Sequence, residues 1–181
     1  MESLAILVPL KAFDVGKSRL RQGGVIAVAD LSRALALGVL LAARPRPVYV
    51  VCESSDVASF AIECGAQAIE TRISGLNEAT THAYRQLSGE YRQLVIAHGD
   101  IRDPRGLGAF DPLEGVTVIT DAHGTGTNVL ALTTGMDFTF RFGRDSAQAH
   151  RREARRLGIE CHVDYESPWR FDVDEPRDLA G

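Results

Sequence analysis

Two short runs of unbroken apolar character, SLAILVPL (residues 3–10) and VYVVC (48–52), constrain this chain more than any other feature. A strand with no polar face must be covered on both sides, as happens in sheets sandwiched between helices. Segments of helical spacing lie between such runs. IAVADLSRALALGVLLAAR follows the first and is closed by PRP; SSDVASFAIECG opens on serine and aspartate and ends on Gly65. AQAIE reads as a short strand, GLNEATTHAYRQLSG as a helix, and QLVIAHGD as a strand running into Gly-Asp. GVTVITD and NVLALTT are strands flanking a Gly/Thr loop, DSAQAHRREARRLG is a basic helix, and IECHV and RFDVD are late extended segments. This order predicts a three-layer α/β fold with a mainly parallel sheet. Ligands of such sheets bind beyond the carboxyl ends of the strands, which points to the loops at 10–19, 99–104 and 121–128.

At 181 residues the chain is expected to form one domain, 1–181. A net charge of −4 gives no basic surface for nucleic acid. The stretch ALALGVLLAA is too short to span a bilayer, and MESLAILVPLK lacks the basic region and cleavage site of a signal peptide. Cys52, Cys64 and Cys161 form no CxxC pair, so a cytoplasmic location is expected. Of 20 basic residues, all but Lys11 and Lys17 are arginine, and both lysines fall in one loop, KAFDVGKSRL. A compact ammonium on a flexible stem differs from a planar guanidinium fork, so this loop needs ammonium groups.

Gly16-Lys17-Ser18 looks like the end of a Walker A motif, GxxxxGK[ST], but the position of the first glycine is Lys11. The loop can still set Lys11, Lys17 and Arg19 over a polyphosphate. In VIAHGDIRDP, Asp100 just past a buried strand fits either a turn or a metal ligand. In RFDVDEPRDL, Asp172 and Asp174 are two apart and share one face of an extended segment. Paired carboxylates repel unless a cation or proton lies between them, and Mg²⁺ takes such oxygen ligands. The alternative, that Asp174 or Glu175 caps a helix beginning at Pro176, leaves Asp172 unexplained. DAHGTGTNVL offers glycines for close backbone approach and Thr125, Thr127 and Asn128 as polar groups. In FRFGRDS, Gly143, Asp145 and Ser146 open a helix whose N-terminus is an anion site, a capped end, or both. Asn77, in SGLNEATTHA, faces a nucleobase or caps the helix, the cap being favoured by its chemistry. The five histidines show no metal spacing and no catalytic arrangement, and read as surface or supporting groups.

In order along the chain, PLKxxxxxKSRL, GLN, GD after a strand, GTGTN, FGxDSxxxH and DVDxPxDL resemble the 2-phospho-L-lactate guanylyltransferase and phosphoenolpyruvate guanylyltransferase family (CofC/FbiD) from Leu7 to Leu179. The resemblance implies the Rossmann-like nucleotide-diphosphosugar transferase (GT-A) fold. It also implies transfer of GMP from GTP to the phosphate of a small three-carbon acid in coenzyme F-420 synthesis. That acid is phosphoenolpyruvate, 2-phospho-L-lactate or 3-phosphoglycerate, and pyrophosphate is released. By matching motif, Asp100, Asp172 and Asp174 would hold two Mg²⁺ ions, and Lys17, with Lys11 and Arg19, would face the GTP phosphates. Asn77 would lie toward guanine, and Thr127, Gly143 and Ser146 would grip the acceptor acid. A homodimer is compatible with the resemblance. The family usually reads Gly-Asp-Leu-Pro where this chain has Gly99-Asp100-Ile101-Arg102, which bears on the acceptor more than on the metals. A molybdenum-cofactor guanylyltransferase-like enzyme and a non-catalytic nucleotide-binding homologue are the alternatives.

Overall fold

Strand β1 (Glu2–Pro9) shows why its sequence has no polar face. Alternate side chains leave a strand on opposite sides. Leu4, Ile6 and Val8 join Val39, Leu40 and Phe60 on one side of the sheet, while Ala5 and Leu7 join Ala83, Tyr84 and Leu132 on the other. The structure is a computed structural model that describes residues 2–15 and 17–179, apart from the side chains of Ser18, Arg19 and Leu179.

A five-residue helix, α1 (Ser18–Gln22), follows β1 and was not marked by any apolar period. Next come α2 (Val28–Ala42), β2 (Val48–Cys52), α3 (Ser55–Glu63), β3 (Gln67–Glu70), α4 (Leu76–Leu87) and β4 (Tyr91–Ala97). The chain continues with β5 (Val116–Thr120), β6 (Thr127–Thr133), α5 (Ser146–Arg156) and β7 (Cys161–Asp164). Helices α2 and α3 pack on one face of the sheet, α4 and α5 on the other. This is the three-layer arrangement expected from the alternation of patterns.

All seven strands form one sheet in the order β3-β2-β1-β4-β6-β5-β7. Neighbours β3, β2, β1 and β4 run parallel, as do β5 and β7. Strand β6 runs antiparallel to both its neighbours, β4 and β5. That reversal matters for the site. The start of β6 lies where β4 ends, with Ala97 opposite Val129, so Thr127 and Asn128 arrive at the same edge as residues 98–100. The segment RFDVD, read as extended, makes a single bridge, Ile101 with Asp172, rather than a strand. Ile6, Leu7, Leu94 and Ile96 are completely buried, each such side chain contributing about 2 kcal/mol. The central pair β1 and β4 is thus the rigid base from which the loops at 10–17 and 98–102 project.

Candidate active site

The three aspartates singled out in the sequence meet at this edge. Ile101 pairs with Asp172, and two hydrogen bonds flank the bridge: Val173 N–H to Asp100 O at 3.0 Å and Arg102 N–H to Phe171 O at 2.8 Å. The segment before Asp172 is held from β6. Asn128 donates through Nδ2 to the carbonyls of Trp169 (3.1 Å) and Arg170 (2.9 Å), and the Trp169 indole donates to Arg105 O at 3.0 Å. As a result, one carboxylate oxygen from each of Asp100, Asp172 and Asp174 lies within 4.8 Å of the others. Asp178 supplies a turn at Pro176, accepting from the backbone N–H groups of Asp174 and Glu175.

Three acids so close resist sharing negative charge. Burial, and then the charges of Asp100 and Asp174, raise the Asp172 pKa to about 6. Asp100 Oδ1 is buried with no hydrogen-bond partner among the described residues. A set of hard oxygen donors with one orphaned lone-pair bearer fits Mg²⁺.

Lys17 lies against this cluster. Its ammonium donates to Asp100 Oδ2 at 2.7 Å, to Asp174 Oδ1 at 3.2 Å and to the Val173 carbonyl. Its side chain is 9% exposed. Burial alone would lower its pKa, but the charges of Asp100 and Asp174 outweigh that and raise it. The backbone at Lys17 is left-handed, with φ of 58°, a conformation non-glycine residues adopt at a cost. The sequence reading sets Lys17 over nucleotide phosphates; in the structure its ammonium rests on the carboxylates. Lys11 is exposed and lines the same cavity, and the Arg19 side chain lies outside the described residues.

That cavity, of about 220 Å³, is walled by Pro9, Leu10, Lys11 and Lys17 from the first loop and by His98, Gly99, Asp100 and Asp174. Gly99 lets Leu10 pack close: a Cβ on it would stand 2.3 Å from Leu10 Cδ2, and the leucine would have to turn aside. A smaller hollow, of about 30 Å³, continues past Lys11 and Leu76 to Cys52, Glu53 and Gly75. Asn77 is not turned to either. Its Oδ1 accepts from Phe142 N–H at 2.6 Å and its Nδ2 donates to Phe142 O at 3.2 Å. It does not cap α4, whose N-cap is Gly75, but ties α4 to the segment leading to Gly143.

The loop between β5 and β6 meets the start of α5. Ala147 N–H donates to Thr125 O at 3.0 Å, and Ser146 N–H to Gly143 O at 3.3 Å. Gly143 has φ of 122°, which excludes other residues, and nothing stands within 4 Å of where its Cβ would be. The helix is not capped by Asp145, whose side chain makes no capping bond and whose φ is 56°. Thr127, Gly143 and Ser146 are thus brought to one corner, Thr127 and Ser146 both buried. Sequence reasoning passed over one residue here. His150 bonds the Thr127 hydroxyl through Nδ1 at 3.1 Å; the available signal was its place four residues after Ser146, on one face of the helix.

Arg102, where the family pattern has proline, lays its guanidinium over the Phe171 ring, 5.2 Å from the centroid. Its N–H to Phe171 O is a bond a proline could not donate. It borders a separate hollow of about 140 Å³ shared with Asp172 and Asp174.

No helix among the described residues is long and apolar enough to cross a membrane. The fold is shared with nucleotidyltransferases of low sequence identity. A nucleotidyl transferase from Methanothermobacter superposes with a TM-score of 0.67 at 14% identity, covering 98% of this chain and 94% of that one. A phosphoenolpyruvate guanylyltransferase of Chloroflexus aggregans is 30% identical over 97% of this chain and 95% of its own length. A 3-phospho-D-glycerate guanylyltransferase of Phenylobacterium zucineum is 30% identical over 75% of this chain and 66% of its own. Residues 4–181 match the family described as "Guanylyl transferase CofC like". With its acids, lysines and Gly/Thr loop gathered at one sheet edge, the chain belongs to the CofC-like guanylyl transferase family.

Proposed function

We propose that the protein transfers GMP from GTP to the phosphate of a small phosphorylated three-carbon acid, phosphoenolpyruvate first among the candidates, with release of pyrophosphate. The observation that carries the reading is the meeting of Asp100, Asp172 and Asp174 with Lys17 at the mouth of a cavity that Lys11 also lines. Relatives named for phosphoenolpyruvate align over 95% or more of the chain, whereas those named for 3-phosphoglycerate align over 75% or less. Such a reaction would serve coenzyme F-420 synthesis, on the family's pattern.

Both reactants are anions, so the main obstacle is bringing them together. Asp100, Asp172 and Asp174 would hold Mg²⁺, two ions on the family's pattern, which supplies charge neutralisation and alignment of attacker and leaving group. Lys11 and Lys17 face the β- and γ-phosphates and stabilise the departing pyrophosphate. Lys17 leaves its carboxylate partners to do so, drawn by the incoming phosphates. Thr127, Gly143 and Ser146 hold the acceptor so that a phosphate oxygen faces the α-phosphorus; that P–O bond forms as the bond to the β-phosphate breaks. The attacking oxygen is already ionised at pH 7, so no general base is required, and none of the histidines is assigned that role.

Pyrophosphate release from GTP and Mg²⁺ with a panel of phosphoenolpyruvate, 2-phospho-L-lactate and 3-phosphoglycerate tests the reading. Turnover with phosphoenolpyruvate is expected. Tight GTP binding with no turnover on any acceptor would make the protein a nucleotide-binding homologue instead.

A further inference from the structure

Beside the acceptor corner, one imidazole is wired so that the direction of each hydrogen bond around it is fixed. His150 is completely buried, its ring edge-on to Phe142 with centroids 4.9 Å apart. Its Nε2 lies 3.1 Å from the Arg141 backbone nitrogen. A backbone N–H can only donate, so Nε2 accepts and carries no proton. Its Nδ1 lies 3.1 Å from the Thr127 hydroxyl. Burial, reinforced by His98, lowers the ring's pKa to about 4, so at pH 7 it is neutral and holds one proton. That proton is on Nδ1, and Nδ1–H donates to Thr127 Oγ1.

The threonine oxygen therefore accepts from inside the protein, and its own hydrogen must point elsewhere. Thr127 is 2% exposed, and no described residue takes that hydrogen. A buried hydroxyl hydrogen with no acceptor is costly, and an anionic oxygen of a bound acid removes the cost. With the opposite tautomer the hydroxyl would donate inward and turn only lone pairs toward the acid, repelling it.

We propose that His150 is a positioning residue that makes the Thr127 hydroxyl an obligate hydrogen-bond donor to an anionic oxygen of the acceptor acid. The proposal rests on the acceptor subsite assigned above. It gives the FGxDSxxxH spacing a physical cause: the helix that opens at Ser146 also carries the group that orients Thr127.

Two measurements test it. Imidazole ¹⁵N spectra of the labelled full chain at pH 7, assigned by comparison with His150→Asn, should show protonated Nδ1 and bare Nε2 at His150. The Nε2–H tautomer, or an imidazolium, would overturn the proposal without any enzyme assay. Steady-state kinetics then separates acceptor from nucleotide. Thr127→Val and His150→Leu should each raise the KM for phosphoenolpyruvate roughly tenfold, the worth of one hydrogen bond to a charged group. The KM for GTP should hardly change. His150→Asn, whose amide N–H reaches toward the Nδ1 position, should recover most of the loss. Thr127→Val combined with His150→Leu should be no worse than either alone. Additive losses, or a GTP KM that rises equally, would refute the proposal while leaving the guanylyl transfer reading intact. A wild-type protein inactive on every acceptor would remove that reading and this one together. If His150→Leu does not fold, the spectra and Thr127→Val still decide.

Discussion

The sides proposed above for the nucleotide and for the acceptor are built in opposite ways. On the nucleotide side the groups are held by one another: Lys17 bridges Asp100 and Asp174, and Asp172 is kept hard to ionise by burial and by its neighbours. On the acceptor side they are held by the backbone: Asn77 is clamped to the N–H and carbonyl of Phe142, and His150 to Arg141 N–H. The first arrangement is a set of charges awaiting a counter-charge, which must rearrange when nucleotide and metal enter. The second is set before any ligand arrives. Preorganisation suits the acceptor, which has few atoms with which to drive ordering.

The largest effect expected from this contrast is at the acids. Asp172→Asn or Asp174→Asn should lower turnover roughly a thousandfold or more, as losing a principal electrostatic group does. Asp172→Asn should not lower the thermal midpoint, because it removes a buried like charge. An unfolding curve shifted downward, or activity near wild type, would show that Asp172 is a structural residue.

Next in size is a stability effect on the acceptor side. The His150 pKa lies at about 4 in the fold against an ordinary 6.5. A depressed folded value means full stability above pH 6.5, lost as pH falls toward 4, by about 3 kcal/mol in all. His98, which lowers the value, and Glu153, which raises it, are the ionisable groups that face the ring. Asp172 changes in the opposite direction over part of this window, since its folded pKa is raised to about 6. Subtracting the urea-unfolding profile of His150→Asn from that of wild type removes it. A difference that is flat from pH 7 to pH 4.5 would mean the ring is not held neutral.

A smaller loss, about 2 kcal/mol or some thirtyfold in kcat/KM, is expected for Lys17→Arg, because a planar fork cannot place one donor nitrogen on three acceptors at once. The same ammonium competes with metal before nucleotide binds. Lys17→Met should therefore bind Mn²⁺ more tightly than wild type in the absence of GTP, seen by the loss of free-ion EPR signal. Equal or weaker binding would put Lys17 outside the carboxylate cluster.

How much of this was legible depended on the length scale of the signal. The strand runs were readable because double-sided burial forces Leu4 to Val8 of β1 and all of β2 to be apolar. Asp172 and Asp174 were readable because a two-residue spacing shares a face whatever the tertiary context. The antiparallel course of β6 was not, since one sheet position is set by pairing between residues far apart, such as Ala97 and Val129. The partner of Asn77 was hidden for the same reason. Its amide meets Phe142, 65 positions away, and no local pattern encodes that. Lys17 was singled out by the arginine bias, yet its partners came only with the geometry. His150 was read among surface or supporting groups because a lone histidine in a helix carries no periodic signal; its bond to Thr127 came only with the geometry.

The smallest effect tests whether the departure at Arg102 belongs to the site at all. Arg102 joins the 99–102 segment to 171–174 through one backbone bond and covers Phe171, which is otherwise half-exposed. Replacing it by proline restores the family's residue and removes that bond. The loss of one partly exposed hydrogen bond predicts about 1 kcal/mol of stability, read as a lower urea midpoint. Because the guanidinium lies on Phe171 and not on a carboxylate, the order of preference among the three acceptors should stay the same. A changed order would move Arg102 from the scaffold into the acceptor subsite. It would also make the acceptor side depend on a residue the family does not share, which the backbone-clamped arrangement of Thr127, Gly143 and Ser146 argues against.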